Sequence, residues 1–173
     1  MMQRASARTR IGVVAIAVLC TGNAVDGEPR APISVLQQEA ARVLVPPLIL
    51  FEVHDPHATT EAITGSTTIG FDDAVVAAGR VLRISVKADG ELTRADGTAA
   101  PGATISWKTS GASNGVGVNG TLTRSAYTQV FQGNLAARSG SVGVTWSIAF
   151  SGTAVRAGTH QVALRWRIDT IVP

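Results

Sequence analysis

Hydrophobic positions recur at every second residue over much of this chain. Val142, Val144, Trp146, Ile148 and Phe150 alternate with Ser141, Gly143, Thr145, Ser147 and Ala149. The pattern returns at Val162, Leu164, Trp166 and Ile168, set against Gln161, Ala163, Arg165, Arg167 and Asp169. It appears again at Leu82, Ile84 and Val86 between Arg83, Ser85 and Lys87, and in shorter form at Ile105 and Trp107. Successive side chains of a strand point to opposite faces, so this alternation describes sheets with one buried face and one wet face. Parallel sheets covered on both sides would show continuous apolar runs instead. The pattern predicts an antiparallel all-β protein.

Turn signals fall between these runs. Asp89-Gly90, Asp96-Gly97, Pro101-Gly102, Asn114-Gly115 and Asn119-Gly120 are turn or break dipeptides. Strands are predicted over Leu48–Asp55, Ser66–Phe71, Val81–Ala88, Ala103–Thr109, Gly115–Thr123, Thr128–Gly133, Ser141–Phe150 and His160–Ile171. About eight short strands, each apolar on one side, need a second sheet to cover them, which predicts an immunoglobulin-like β-sandwich. The buried set includes Leu82, Ile84, Val86, Trp107, Val144, Trp146, Ile148, Leu164, Trp166 and Ile168.

One stretch departs from the pattern. Ile33–Val45 contains the helix-forming run VLQQEAARVL, which Pro46-Pro47 would end. Alternatively, Arg42–Val45 opens an edge strand and the prolines mark a switch between sheets. Residues 25–47 are therefore read as a flexible, strand-like or short helical lead-in, and residues 48–173 as the sandwich domain.

The 173 residues suit one domain, and 45% hydrophobic against 16% charged residues is enough apolar content for a core. The formal charge of +3 is concentrated at the start. Arg4, Arg8 and Arg10 precede the apolar run Ile11–Leu19, and Gly22-Asn23-Ala24 offers small residues at a cleavage site. This pattern predicts a secretory signal peptide over residues 1–24 and too few apolar residues for a membrane span. Cys20, the only cysteine, lies in that segment, and Leu19 before it does not suit lipidation. Cleavage would leave 15 − 3 = 12 basic and 12 acidic residues, a neutral chain with no disulfide and no bulk attraction for nucleic acid. Residues 25–123 balance seven basic against eleven acidic groups, whereas residues 124–173 carry five arginines against Asp169. That asymmetry is either compositional drift or a means of steering copies together.

Candidate chemistry is sparse. The three tryptophans share faces with Val, Leu and Ile, which reads as core packing, or else as an aromatic surface for glycan. His54 and His57 flank Asp55-Pro56, a weak metal candidate set against a solvated strand end. Gly111-Ala-Ser113-Asn-Gly115 matches a nucleophile-elbow pattern but sits between short strands with no helix after it, and His160 and Asp169 follow in the wrong order. Asn119-Gly-Thr121 is a formal glycosylation acceptor. No catalytic activity, metal or cofactor is expected.

The segment Ala157–Ile168, AGTHQVALRWRI, is similar to the last strand of secreted bacterial surface β-sandwiches. It resembles the WxL-domain cell-wall proteins, with Trp166-Arg-Ile168 and Trp146-Ser-Ile148 at the Trp-x-Leu places, Ile replacing Leu and His160 replacing Tyr. It also resembles pilin-like and spore-coat-like subunits. The resemblance covers about the last thirty residues. The first family implies a cell-wall or carbohydrate-binding module, with Trp or Tyr127 in an exposed groove. The second implies self-association by strand donation, with Val43 and Val45 as anchors. The expected role is a secreted structural or adhesive surface protein; its partners are other copies or a cell-wall polymer.

Overall fold

The computed structural model describes residues 39–151 and 156–173. The predicted leader and most of the lead-in lie outside these residues. Eleven strands form one antiparallel sheet that curls on itself, and the described residues contain no helix. The strands are β1 (Ala40–Leu44), β2 (Leu48–Val53), β3 (Thr60–Val75), β4 (Val81–Ala88), β5 (Thr93–Arg94) and β6 (Ala103–Ser113). They continue with β7 (Gly115–Gly117), β8 (Gly120–Thr121), β9 (Thr128–Gly133), β10 (Gly140–Phe150) and β11 (Gly158–Ile171).

The hydrogen-bonded order is β7-β9-β4-β11-β2-β3-β10-β6-β8, with β1 added on β3 and β5 on β11. A front half contains β1, β3, β10, β6 and β8; a back half contains β2, β11, β5, β4, β9 and β7. The halves are joined through β2 and β3, where Phe51 pairs with Ala62. They face each other across the core. Phe71 of β3 meets Phe131 of β9 at 6.1 Å between ring centroids, and Trp146 of β10 meets Trp166 of β11 edge-on at 6.5 Å. The two end strands of the path, β7 and β8, are separated in sequence by Val118 and Asn119 alone. The curl therefore brings the ends of the sheet together.

The alternation maps onto this curl. In β10, Val142, Val144, Trp146 and Ile148 are buried, while Ser141, Gly143, Thr145 and Ser147 are half-buried on the opposite face. Burying each such apolar side chain stabilises the fold by about 1.5–3 kcal/mol. On the outer face Ser147 meets Ser106, hydroxyl to hydroxyl, at 3.0 Å. Leu82, Ile84, Val86, Trp107 and Leu164 are buried as well. Trp166 and Ile168 are half-buried and pack against the same cluster.

Two elements extend beyond the alternation. β3 runs over sixteen residues rather than Ser66–Phe71. It contains a bulge: Thr145 and Ser147, two apart, face Ser66 and Glu61, five apart. Gly65 sits in the bulge with φ +63°, and Ile63 is exposed there. Extra residues bend a strand, and here the bend carries β3 from β1 to β2. The second element is β1. The sheet begins at Ala40, ahead of the boundary expected at Leu48, because Val43 and Leu44 pair with Phe71 and Gly70. Pro46-Pro47 then moves the chain to the back half, where β2 pairs with β11. Residues 40–44 are thus strand, not helix. No helix among the described residues is long and apolar enough to cross a membrane.

Candidate functional site

Val43 is buried and Val45 half-buried against the chain's own core. The segment expected to donate a strand to a neighbour is therefore already seated beside β3. Its start is fixed by a polar clamp. Glu39 is 8% exposed, and its carboxylate accepts hydrogen bonds from the Ala77 backbone N–H at 3.0 Å and the Thr170 hydroxyl at 2.8 Å. Arg80 donates Nε–H to the Thr170 hydroxyl at 3.0 Å and lies 3.9 Å from Glu39. A carboxylate taken out of water needs such partners. No local motif announces this clamp, since Thr170 lies 131 residues from Glu39 along the chain. On its other side, β1 has no strand neighbour among the described residues.

The tryptophans are structural in placement. Trp107 and Trp146 are buried side by side, centroids 5.2 Å apart, on paired positions of β6 and β10. Trp107 donates its indole N–H to the Val118 carbonyl at 2.7 Å, and Trp166 donates to the Pro46 carbonyl at 2.7 Å. Trp107 and Trp146 offer no stacking face to solvent. Tyr127 is half-buried, with Lys87 Nζ at 5.1 Å and Arg167 at 6.0 Å from its ring centroid. Cations at that range are attracted to the ring face, which leaves Tyr127 engaged by side chains of β4 and β11.

His54 and His57 are exposed in the β2–β3 connection. Asp55 accepts the His57 backbone N–H at 2.9 Å, a local turn bond rather than a ligand geometry. No group of three His, Cys, Asp or Glu among the described residues is placed to hold a metal ion.

Ser113 and His160 stand at opposite ends of the fold. Ser113 pairs with Ser141, which pairs with Gly70, whereas His160 pairs with Phe51, which pairs with Ala62. Gly70 and Ala62 are eight residues apart on β3, a separation on the order of 20 Å. Ser113 is exposed and His160 is 0% exposed, its ring tilted against Phe150 with centroids 5.3 Å apart. The two cannot share a proton. The alternation places His160 on the inner face with Val162 and Leu164, but Gln161-His160-Thr159 gives no sequence signal of full burial.

On the outer face of the back half, Asp169 accepts two hydrogen bonds from Arg83, at 3.0 and 2.6 Å, and lies 3.0 Å from Arg167. The Arg83 hydrogen bonds, outweighing partial burial, hold the Asp169 carboxyl below the usual carboxylate range, and the charges of Arg83 and Arg167 add to this. Asp96 is lowered too, chiefly by the Thr98 backbone N–H it accepts. Comparisons with family models, with curated proteins and with solved structures return no match to this chain.

Proposed function

We propose that this is a non-catalytic, secreted structural or adhesive surface protein with an immunoglobulin-like arrangement of its two sheet halves. Its copies associate by exchanging β1. The observation that carries the reading is that β1 buries Val43 in the core, with Val45 just beyond it half-buried against the same cluster, while being held by one strand neighbour, β3. A sheet edge of this kind accepts an added strand through main-chain hydrogen bonds, with alternate side chains filling pockets. Exchange of an identical element rebuilds the same contacts between copies at low cost. The Glu39–Thr170–Arg80 clamp would then close around a neighbour's strand. Support for secretion comes from the leader-like residues 1–24, and support for a surface role from the C-terminal resemblance.

The test uses the chain from residue 25 and the chain from residue 46, compared by light scattering across a range of concentrations. Oligomers of the longer chain that vanish in the shorter one support the reading. A second arm places cysteines at the paired positions Arg42 and Asp72. Directly opposed residues of an antiparallel pair lie within disulfide reach. Linked chains on a non-reducing gel support exchange. A longer chain that stays monomeric and forms only the internal disulfide overturns it.

A further inference from the structure

The outer surface of the sheet carries two pairs of like charges, each across neighbouring strands. Where the halves join, Phe51 pairs with Ala62 and both point inward. One residue on from that pair, Glu52 of β2 and Glu61 of β3 lie across from each other on the outer side, both exposed. On the neighbouring strands Lys87 of β4 pairs directly with Arg165 of β11. Like charges opposite one another weaken a sheet. Arg165 has one counter-charge, Asp89 at 2.7 Å, and Lys87 lies over the Tyr127 ring at 5.1 Å. Glu52 and Glu61 make no ion pair among the described residues.

Both pairs belong to one continuous surface. β2 and β11 are hydrogen-bonded neighbours, with Glu52 beside Thr159 and Leu48 beside Ala163. Arg165 lies six residues beyond Thr159 on β11, about 20 Å along the strand. Exposed charges are screened over about 8 Å in physiological salt, so the acidic and basic pairs do not neutralise each other within one copy. Between them the surface is apolar. Leu48 is 44% exposed and Ile63 54%, Ala163 is exposed and Leu50 half-buried. Their neighbours Ile49, Phe51, Ala62 and Val162 fill the core, and the alternation therefore turns these four outward. An apolar centre with a charged rim is the anatomy of a protein interface.

The rim also selects the partner. Opposite charges at the two ends of an apolar centre make the surface complementary to itself. A two-fold axis in the contact plane, midway between the pairs and perpendicular to the line joining them, lays each acidic pair on the basic pair of the other copy. Such a contact is closed and answers both pairs at once. We infer that the outer face of β2, β3, β4 and β11 is a self-association surface, in which Glu52 and Glu61 of one copy meet Lys87 and Arg165 of another around Leu48 and Ile63. β1 takes no part in it, so the inference does not rest on strand exchange.

Analytical ultracentrifugation of the protein over a range of concentrations, in low and in high salt, reads the contact. A dimer that forms in low salt and weakens in high salt is expected. Two charge variants sharpen the test: Lys87→Glu with Arg165→Glu leaves an all-acidic rim, and Glu52→Lys with Glu61→Lys an all-basic one. Thermal melts establish that both fold. Each variant alone should dimerise about tenfold or more weakly, and an equimolar mixture of the two should regain the dimer, since each rim then meets its opposite. Leu48→Ser, at an exposed position, should weaken the dimer without altering its response to salt. Exchange of β1 is indifferent to these charges, so its failure and the failure of this contact are told apart. A protein that stays monomeric in low salt, association unchanged in both charge variants, or folded variants whose mixture recovers nothing would overturn the inference.

Discussion

Among the connections that carry the chain between the halves of the curled sheet, those at Val45–Pro47 and Val118–Asn119 are built from different residues. Both are pinned by an indole N–H. Trp166 reaches from β11 to the Pro46 carbonyl, and Trp107 reaches from β6 to the Val118 carbonyl. At the first crossing the prolines have no N–H to satisfy, so the chain leaves one sheet without stranding a donor. Trp166 there is half-buried, and Leu164 adds a backbone bond to the Pro47 carbonyl at 2.9 Å. The indole at the second crossing is the more deeply buried, although Asn119 itself is exposed. Asn119 Oδ1 accepts both the Thr109 N–H at 2.8 Å and the Thr109 hydroxyl at 3.0 Å, standing in for a missing strand partner. Gly120 lies so close to Trp107 that a Cβ would come within 2.4 Å of its ring. The lesson is that a sheet may change direction either by removing backbone donors or by supplying side-chain acceptors, and that the second route demands tighter packing.

Because Trp107 is buried and Trp166 half-buried, the tryptophan of the second crossing should matter more. Trp107→Ala is expected to destabilise by about 3–5 kcal/mol in urea unfolding, and Trp166→Ala by about 2 kcal/mol. Equal losses would remove the contrast. Gly120→Ala, which drives a methyl into the Trp107 ring, is expected to cost about 1–3 kcal/mol. Pro46→Ala, at the first crossing, should stay within about 1 kcal/mol of the unmodified chain, a difference that thermal melts of the pair would resolve. Asn119→Ala removes both acceptor contacts to Thr109 and should cost about 1 kcal/mol, whereas Asn119→Asp keeps an acceptor and should cost less. Amide hydrogen exchange at Thr109 reports the same loss locally.

A further effect of about the same size lies near the first crossing, on β11 beyond Trp166. Asp169 has a folded-state pKa below its ordinary 3.8. Its contribution is therefore present above that ordinary value and is lost as pH falls through the lower folded value. Asp169→Asn should cost about 1 kcal/mol at pH 7 and remove part of the acid sensitivity below about pH 4. Denaturant midpoints measured from pH 7 to pH 2 for both proteins check the sign. A variant equally sensitive to acid would show that the Arg83–Asp169 pair carries no linkage.

Much of the strand framework was legible because alternation is local. Val81–Ala88 and Thr128–Gly133 end where turn residues end them. The alternation marks only Ser66–Phe71 of β3, because Thr60–Gly65 does not alternate and Asp72-Asp73 interrupts the apolar face. Its outer parts are strand because β1, β2 and β10 supply partners. β1 itself was ambiguous for a similar reason: AARVL suits a helix by composition, and β3 outweighs that preference by burying Val43.

The sequence alone determined the antiparallel all-β class, the inward faces of the long strands and the absence of an internal disulfide, since each follows from neighbouring residues or a simple count. Only the tertiary structure decided that β1 lies in its own sheet, that Ser113 and His160 stand apart, and that His160 pairs with Arg94 across β11 and β5. Those facts depend on residues distant in the chain being brought together. Hydrophobic period fixes which side of a strand faces inward, but carries no information about which strand faces it.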